Sequence, residues 1–282
     1  MTLQEGRRLS VDDPAAGAYR LGMGTAALRR RLGRAVRMAI GRCRALKPDT
    51  IRFRGAFRSH EEALQHVRPG KLKGYDNDGV SEVSKALMQE VPLWDYPVLY
   101  WLKRLSPEID RVIDAGGHIG VKYRAFSPYL ELDRIEWIVY DLPAQVRAGR
   151  AEARPEDKTL SFVERLEDAP PADVLLGSGL LPYLDQPLAD LIGRLRQRPR
   201  HILLNKVATR DGPTVVTLEN FRLAEVPYHI RNAREVPDAL DALGYDIVDS
   251  WIIDSIAHRI DTHPELGASV SRGYAARLRD AG

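Results

Sequence analysis

Two acids and a run of glycines carry the first chemical signal. In "RVIDAGGHIG" (residues 111–120) an apolar stretch ends at Asp114, and Gly116, Gly117 and Gly120 follow with His118 among them. A glycine turn after a strand lets backbone approach a ligand with no Cβ in the way. In open α/β sheets ligands bind beyond the carboxyl ends of the strands. A dinucleotide turn would read G-x-G-x-x-G, with phosphate on the helix N-terminus. Here a carboxylate stands at the strand end, where it would repel a pyrophosphate. It suits instead a ligand that carries an ammonium group and a sulfonium. Asp141, followed by Leu142 in "VYDLP", closes the next strand and can accept two hydrogen bonds from a ribose diol. The alternative for Asp141 is to cap the helix begun at Pro143. The pair of acids favours S-adenosyl-L-methionine over a dinucleotide.

Other candidates lie further along. "GSGLLPYLDQP" holds Ser178 and Tyr183, and Asn205 ends the strand "HILLNK". Tyr183 could orient a nucleophile or set its ring near a sulfonium; its alternative is helix packing. Glu219, Asn220, Tyr228 and His229 form a polar group in a later insert, where His229 is either catalytic or packed in a loop. His118 is eligible as a base through its pKa range, with a structural place in the turn as the alternative. Phe53, Phe57, Tyr75, Trp94 and Tyr96 could roof a cofactor or belong to the core. No metal site is expected, because the seven histidines are scattered and Cys43 is alone. A G-x-S-x-G elbow and a P-loop are both missing.

The elements that position these residues read as α/β. From residue 111 short strands alternate with helices, the pattern of a parallel βαβ sheet. Strands are predicted at 111–114, 136–141, 159–163, 173–178, 201–206, 214–219 and 246–253. Upstream, "IRFRGAFRSHEEALQH" predicts a helix start with Ser59 as N-cap and Glu62 three residues on. Further helices are predicted from about Ser81 and from about Pro97. The expected division is a basic helical arm or lid over 1–50, a helical cap over 51–110, and a Rossmann-like domain over 111–282. The arm's helix, about 23–46, repeats Leu28, Leu32, Val36 and Ile40 every fourth residue among arginines. That stripe suits a lid or a homodimer contact, a peripheral membrane helix, or a poorly ordered arm.

The series as a whole resembles the class I S-adenosylmethionine-dependent methyltransferases. Asp114, Gly116, Gly117 and Gly120 match that family's first motif, Asp141 matches its second, and "ADVLLGSGLLPYLDQP" its fourth. His118 departs from the motif at its middle glycine. "GGHIG", "YDLP", "RHILLNK", "VTLEN", "VPYHIRNAREV" and "LGYDIVDSW" narrow the likeness to a bacterial methyltransferase family found beside polysaccharide and natural-product genes, over about 51–278. The resemblance implies a Rossmann-like sheet with an N-terminal helical cap and S-adenosyl-L-methionine as cofactor. It implies methyl transfer to an oxygen or nitrogen of a small or sugar-linked molecule. Azetidine-2-carboxylate synthases share this scaffold, so cyclisation of the cofactor's own aminobutyrate, releasing methylthioadenosine, is the competing expectation. A binding protein whose site has decayed is a third; the two intact acids speak against it.

Composition narrows the class. The formal net charge of +3 divides into about +8 over residues 1–48 and about −5 over the rest. A basic arm on an acidic body is not the footprint of a nucleic-acid enzyme. An N-P-P-Y type turn for a flipped base is also missing, with "GSGLLPY" in its place. The single cysteine predicts a reducing cytoplasm. Neither a secretory signal nor a membrane-spanning run is expected.

Overall fold

The computed structural model describes residues 51–74, 91–221 and 223–280, with 32, 33, 35, 36, 38–41 and 43. The helix expected from Ser81 and the ring of Tyr75 lie outside the described residues. Among those described, eleven strands form one sheet system: β1 (Phe53–Phe57), β2 (Leu72–Lys73), β3 (Arg111–Ala115), β4 (Glu136–Tyr140), β5 (Leu160–Val163), β6 (Val174–Ser178), β7 (His201–Arg210), β8 (Val215–Phe221), β9 (Ala224–Asn232), β10 (Tyr245–Ile253) and β11 (Val270–Leu278). The helices are α1 (His60–Gln65), α2 (Tyr96–Leu105), α3 (Val121–Phe126), α4 (Pro143–Ala151), α5 (Leu188–Gly193) and α6 (Glu235–Ala242).

The order β5-β4-β3-β6-β7 is parallel throughout. In chain order of those five strands it reads 3-2-1-4-5, the Rossmann sequence with its switch point between β3 and β6. β11 then adds antiparallel to β7, and β10 antiparallel to β11. This is the α/β Rossmann-like class the sequence implied. Both faces are covered, as a parallel sheet requires. One face packs Val98, Leu99, Leu102 and Leu105 of α2 against Trp137, Tyr123 and Phe126. The other packs Leu191 and Ile192 of α5 and Val236 and Leu240 of α6 against Ile113, Leu175 and Leu204. Each such buried side chain contributes roughly 1.5–3 kcal/mol relative to exposure.

Three departures from the sequence reading change what surrounds the site. Residues 51–110, expected as a helical cap, supply a strand: β1 pairs antiparallel with β8. The helix after it starts where expected. Ser59 Oγ accepts from the Glu62 N–H at 3.0 Å, and Glu62 Oε2 accepts from the Arg58 N–H at 2.8 Å. β9 and β11 were not expected at all. β9 turns the insert after β7 into sheet, pairing with β8 along its length and with the end of β7.

The β7–β11 ladder carries the third departure. Its register slips between Arg272 and Tyr274, so that Asn205 and Lys206 together face Gly273. Lys206 takes a left-handed φ of 56° there, the geometry of a β-bulge that re-aims a side chain. A Cβ on Gly273 would run into the Trp251 indole, whose Nε1–H donates to Asn205 Oδ1 at 3.0 Å. In the arm, described residues between 32 and 43 are helical, yet Leu32, Val36 and Ile40 are 65%, 52% and 49% exposed. These three apolar side chains are therefore largely open to solvent. No helix among the described residues is long and apolar enough to cross a membrane.

Replacing Gly273 with Ala should destabilise the fold by about 1–3 kcal/mol through overpacking against Trp251. Gly193, whose added Cβ would meet open space, is the control. At that helix end Gly193→Ala should be neutral or stabilising by up to about 1 kcal/mol. Urea unfolding of both variants checks the contrast.

Candidate functional site

The glycine turn between β3 and α3 is built around one buried carboxyl. Asp114 is 1% exposed and accepts from Trp137 Nε1–H at 3.2 Å. An added Cβ on Gly117 would stand 2.5 Å from Asp114 Oδ2, so only glycine fits over the acid. Gly116 and Gly120 have φ of 73° and 84°, and His118 between them has φ of 53°. His118 thus keeps the left-handed conformation that a glycine would adopt freely, at a cost of roughly 1–2 kcal/mol. That strain is held by Asp141, whose Oδ2 accepts from the His118 N–H at 2.8 Å. The other oxygen, Oδ1, accepts from the Leu142 N–H at 2.7 Å. Both oxygens of Asp141 thus face the backbone between the glycine turn and the start of α4. The His118 ring, facing Gln145, is held toward its neutral form by burial, against the pull of Asp141.

Burial pushes the Asp114 carboxyl up to about 7, against the lowering effects of the Trp137 hydrogen bond and then Lys122. Around it lies a polar network that the sequence did not disclose. Asp95, fully buried just before α2, pairs with Lys122 of α3. Its Oδ1 accepts from Asn205 Nδ2 at 3.0 Å and from Ser178 Oγ at 3.5 Å. Asn205 also donates to the Trp94 carbonyl at 3.0 Å. The ends of β6 and β7 are thereby bound to the segment that opens α2. Lys206, half-buried on its bulge, has its amine lowered to about 8, chiefly by burial and then by Lys122. Asp95, Lys122, Lys206, Trp137 and Trp251 were not singled out from the sequence. Only the strand-end position of "LLNK" gave a hint for Lys206.

The turn after β6 lies against the glycine turn: a Cβ on Gly116 would be 3.2 Å from Leu180 Cδ1. Three residues on, Tyr183 Oη donates to Glu219 Oε2 at 2.7 Å, and Arg52 Nε donates to Glu219 Oε1 at 2.9 Å. Burial raises the Glu219 carboxyl despite both partners. The Tyr183 ring meets Tyr228 edge-on at 5.2 Å, and Tyr228 meets Phe53 at 5.0 Å. Phe53 is therefore core, while Tyr96 is 51% exposed. Asn220 anchors β1 by donating to the Ile51 carbonyl at 3.2 Å. His229, buried on β9, takes a Pro182 carbonyl at both its backbone N–H (2.6 Å) and Nδ1 (3.1 Å). Burial, then Arg231, lowers its imidazole to about 4. The structure thus gathers Asp114, the glycines, His118, Asp141, Leu142 and Ser178 around one strand-end crevice. Tyr183 sits on the adjoining turn and His229 on β9 behind it, in a second polar group.

Comparison with known proteins returned folds and not relatives. No family model and no curated protein matches the sequence. Among solved structures, Burkholderia thailandensis 1,6-didemethyltoxoflavin-N1-methyltransferase, with bound 1,6-didemethyltoxoflavin and S-adenosylhomocysteine, is similar at 20% identity and TM-score 0.45, over 72% of this chain and 83% of that one. A glycopeptide N-methyltransferase complexed with S-adenosylhomocysteine is similar at 14% identity and TM-score 0.46, over 73% and 100%. Magnesium protoporphyrin IX methyltransferase from Synechocystis PCC 6803, with bound S-adenosylmethionine, is similar at 14% identity and TM-score 0.42, over 72% and 82%.

The Asp114 pKa has a signed consequence for stability. The folded chain holds a proton at pH values where the unfolded carboxyl, with its ordinary value of 3.8, has lost it. Ionising Asp114 therefore costs stability as pH rises from about 4 to about 7, by at most about 4 kcal/mol. Asp114→Asn removes that cost. Its melting temperature relative to wild type should climb over this interval and level off above it. A difference constant with pH would show that the carboxyl titrates normally.

Proposed function

We propose that the chain is an S-adenosyl-L-methionine-dependent methyltransferase acting on an oxygen or nitrogen nucleophile of a small or sugar-linked molecule. The observation that carries this reading is the buried Asp114 carboxyl under a left-handed glycine turn, with Asp141 at the end of the neighbouring strand. The donor set fits the cofactor. Asp114, once ionised, offers a desolvated carboxylate for the cofactor's ammonium group, and Asp141 offers carboxylate oxygens to a ribose diol. The backbone of Gly116, Gly117, His118 and Gly120 forms the wall between them, with Leu142 and Ser178 at its rim. A pyrophosphate would meet Asp114 and be repelled.

When bound, the cofactor supplies an electrophilic methyl group on a sulfonium. The chain's own work is alignment and exclusion of water, where proximity dominates. Asp95, Lys122 and Asn205 fix the ends of β6 and β7 against the α2 segment, so the crevice keeps its width. Tyr183, its hydroxyl held by Glu219, faces the acceptor side and orients the nucleophile. Lys206, with its amine near 8, is free in part at mildly alkaline pH to take the acceptor's proton. His229, through its two bonds to Pro182, positions the turn that carries Tyr183. A small-molecule acceptor with no membrane or nucleic-acid partner accords with the acidic body.

One observation favours a second reading, cyclisation of the cofactor to azetidine-2-carboxylate. Attack by the cofactor's own amine needs that amine neutral, and a carboxyl raised to about 7 is a fitting proton acceptor beside it. Mass spectrometry of protein incubated with S-adenosylmethionine alone separates the two. Methylthioadenosine with a cyclic amino acid would establish cyclisation, and an unchanged cofactor that binds would leave methyl transfer.

Binding itself tests the site. Affinity for S-adenosylmethionine should strengthen as pH rises through about 7, as Asp114 ionises, and Asp114→Asn should flatten that profile. Asp141→Ala should weaken binding about tenfold or more, the loss of two hydrogen bonds to a charged acceptor. Calorimetry that finds a pH-independent affinity, unchanged in both variants, would overturn the assignment.

A further inference from the structure

Outside that crevice, three residues from distant parts of the sequence converge: His60, Asp185 and His229. His60 is the first residue of α1, just after its Ser59 cap. Asp185 lies on the turn two residues beyond Tyr183, and His229 is on β9. One ligand atom from each lies within 4.8 Å of the others. His60 Nδ1 and His229 Nε2 each stand 3.9 Å from Asp185 Oδ1, and the two rings stack at 5.6 Å, 19° from parallel.

Three details point to a ligand. His60 Nδ1 is shut off from solvent and makes no hydrogen bond, so a polar atom is buried facing the other two. His229 spends Nδ1 on the Pro182 carbonyl, which fixes the tautomer and leaves the Nε2 lone pair aimed at Asp185. A backbone carbonyl behind a ligating histidine is the usual outer support of a metal site. Finally, the cation on the same strand is already engaged. Arg231, two residues along β9, pairs with Glu235 and donates to the Leu181 and Leu184 carbonyls at 3.1 and 2.8 Å.

We propose that His60 Nδ1, Asp185 Oδ1 and His229 Nε2 bind one divalent transition-metal ion of the zinc class, clasping the start of α1 to the turn that carries Tyr183. Two imidazoles and a carboxylate with an open fourth position match that class. Tetrahedral bonds of roughly 2.0–2.1 Å place ligand atoms roughly 3.4 Å apart, so the group must close by about half an ångström or more. Asp185, 66% exposed at its side chain, and His60, at the first residue of α1, make that movement. His229 is held by backbone and stays. The site stands independently of the methyl-transfer reading, because none of its three ligands is asked to touch the cofactor.

The test uses the full chain, stripped with chelator and then titrated with Zn²⁺ by calorimetry and with Co²⁺ by visible absorption. We expect one ion per chain, a raised melting temperature in Zn²⁺, and Co²⁺ bands of a tetrahedral nitrogen–oxygen site. His60→Gln and Asp185→Asn, at the two more exposed positions, should each weaken Zn²⁺ binding at least about tenfold. Their melting temperatures in chelator should match wild type, which separates a lost ligand from a lost fold. Binding that is substoichiometric, or unchanged in the double variant, would overturn the proposal.

Discussion

The crevice depends on keeping one carboxyl out of water. Asp114 sits at the end of β3, at the switch point, where two neighbouring crossovers leave the sheet in opposite directions. Such a position is deep by construction, and an acid there is costly to ionise. The surrounding sequence is shaped by that cost. Trp137, itself fully buried on β4, turns its one N–H toward the carboxyl. Gly117 gives up a side chain so that the backbone can lie over the oxygens. His118 accepts a left-handed φ so that the chain can complete the turn. A surface turn would need none of these arrangements. Such arrangements around a costly buried acid are what a functional site demands.

The second constraint is how the strand ends are held apart. Parallel strands diverge at their carboxyl ends, and something must span the gap without filling it. The Asp95 carboxylate does so with Lys122, Asn205 and Ser178 as partners, each from a different element. Because Asp95 belongs to the segment before α2, that segment is joined to the sheet by charge-assisted hydrogen bonds as well as by the apolar face of α2. The bulge at Asn205 and Lys206 belongs to the same arrangement. It lets Asn205 face Asp95 and Trp251 at once, and it turns Lys206 out of the ladder toward the acids. An unbulged strand would alternate these two residues to opposite faces.

What the sequence disclosed follows from these physical differences. Strands β3, β4, β6 and β7 are buried on both faces, so they read as continuous apolar runs bounded by turns. Glycines and acids at their ends are local signals, which is why Asp114 and Asp141 were legible. β9 and β11 were not, because "AEVPYHIRN" carries Pro227 and charges, and "VSRGYAARL" carries Gly273 and arginines. Their strand character comes from pairing partners, and pairing is not a local property. β1 was hidden for the same reason, a five-residue edge with a glycine in it. The Asp95 network and the three convergent ligands are products of topology. His60, Asp185 and His229 look scattered along the chain because the helix, turn and strand that carry them come from three separate stretches of it.

The second polar group meets the same cost by other means. Tyr183, Glu219 and Arg52 form a chain in which a carboxylate is wedged between a phenol and a guanidinium, with Tyr228 and Phe53 packed behind. Burial strengthens that carboxyl's hold on a proton, and the Tyr183 hydroxyl and the Arg52 guanidinium each donate to one of its oxygens. The two buried acids thus differ in how the fold meets the cost of burying them, with an indole N–H at Asp114 and a phenol and a guanidinium at Glu219.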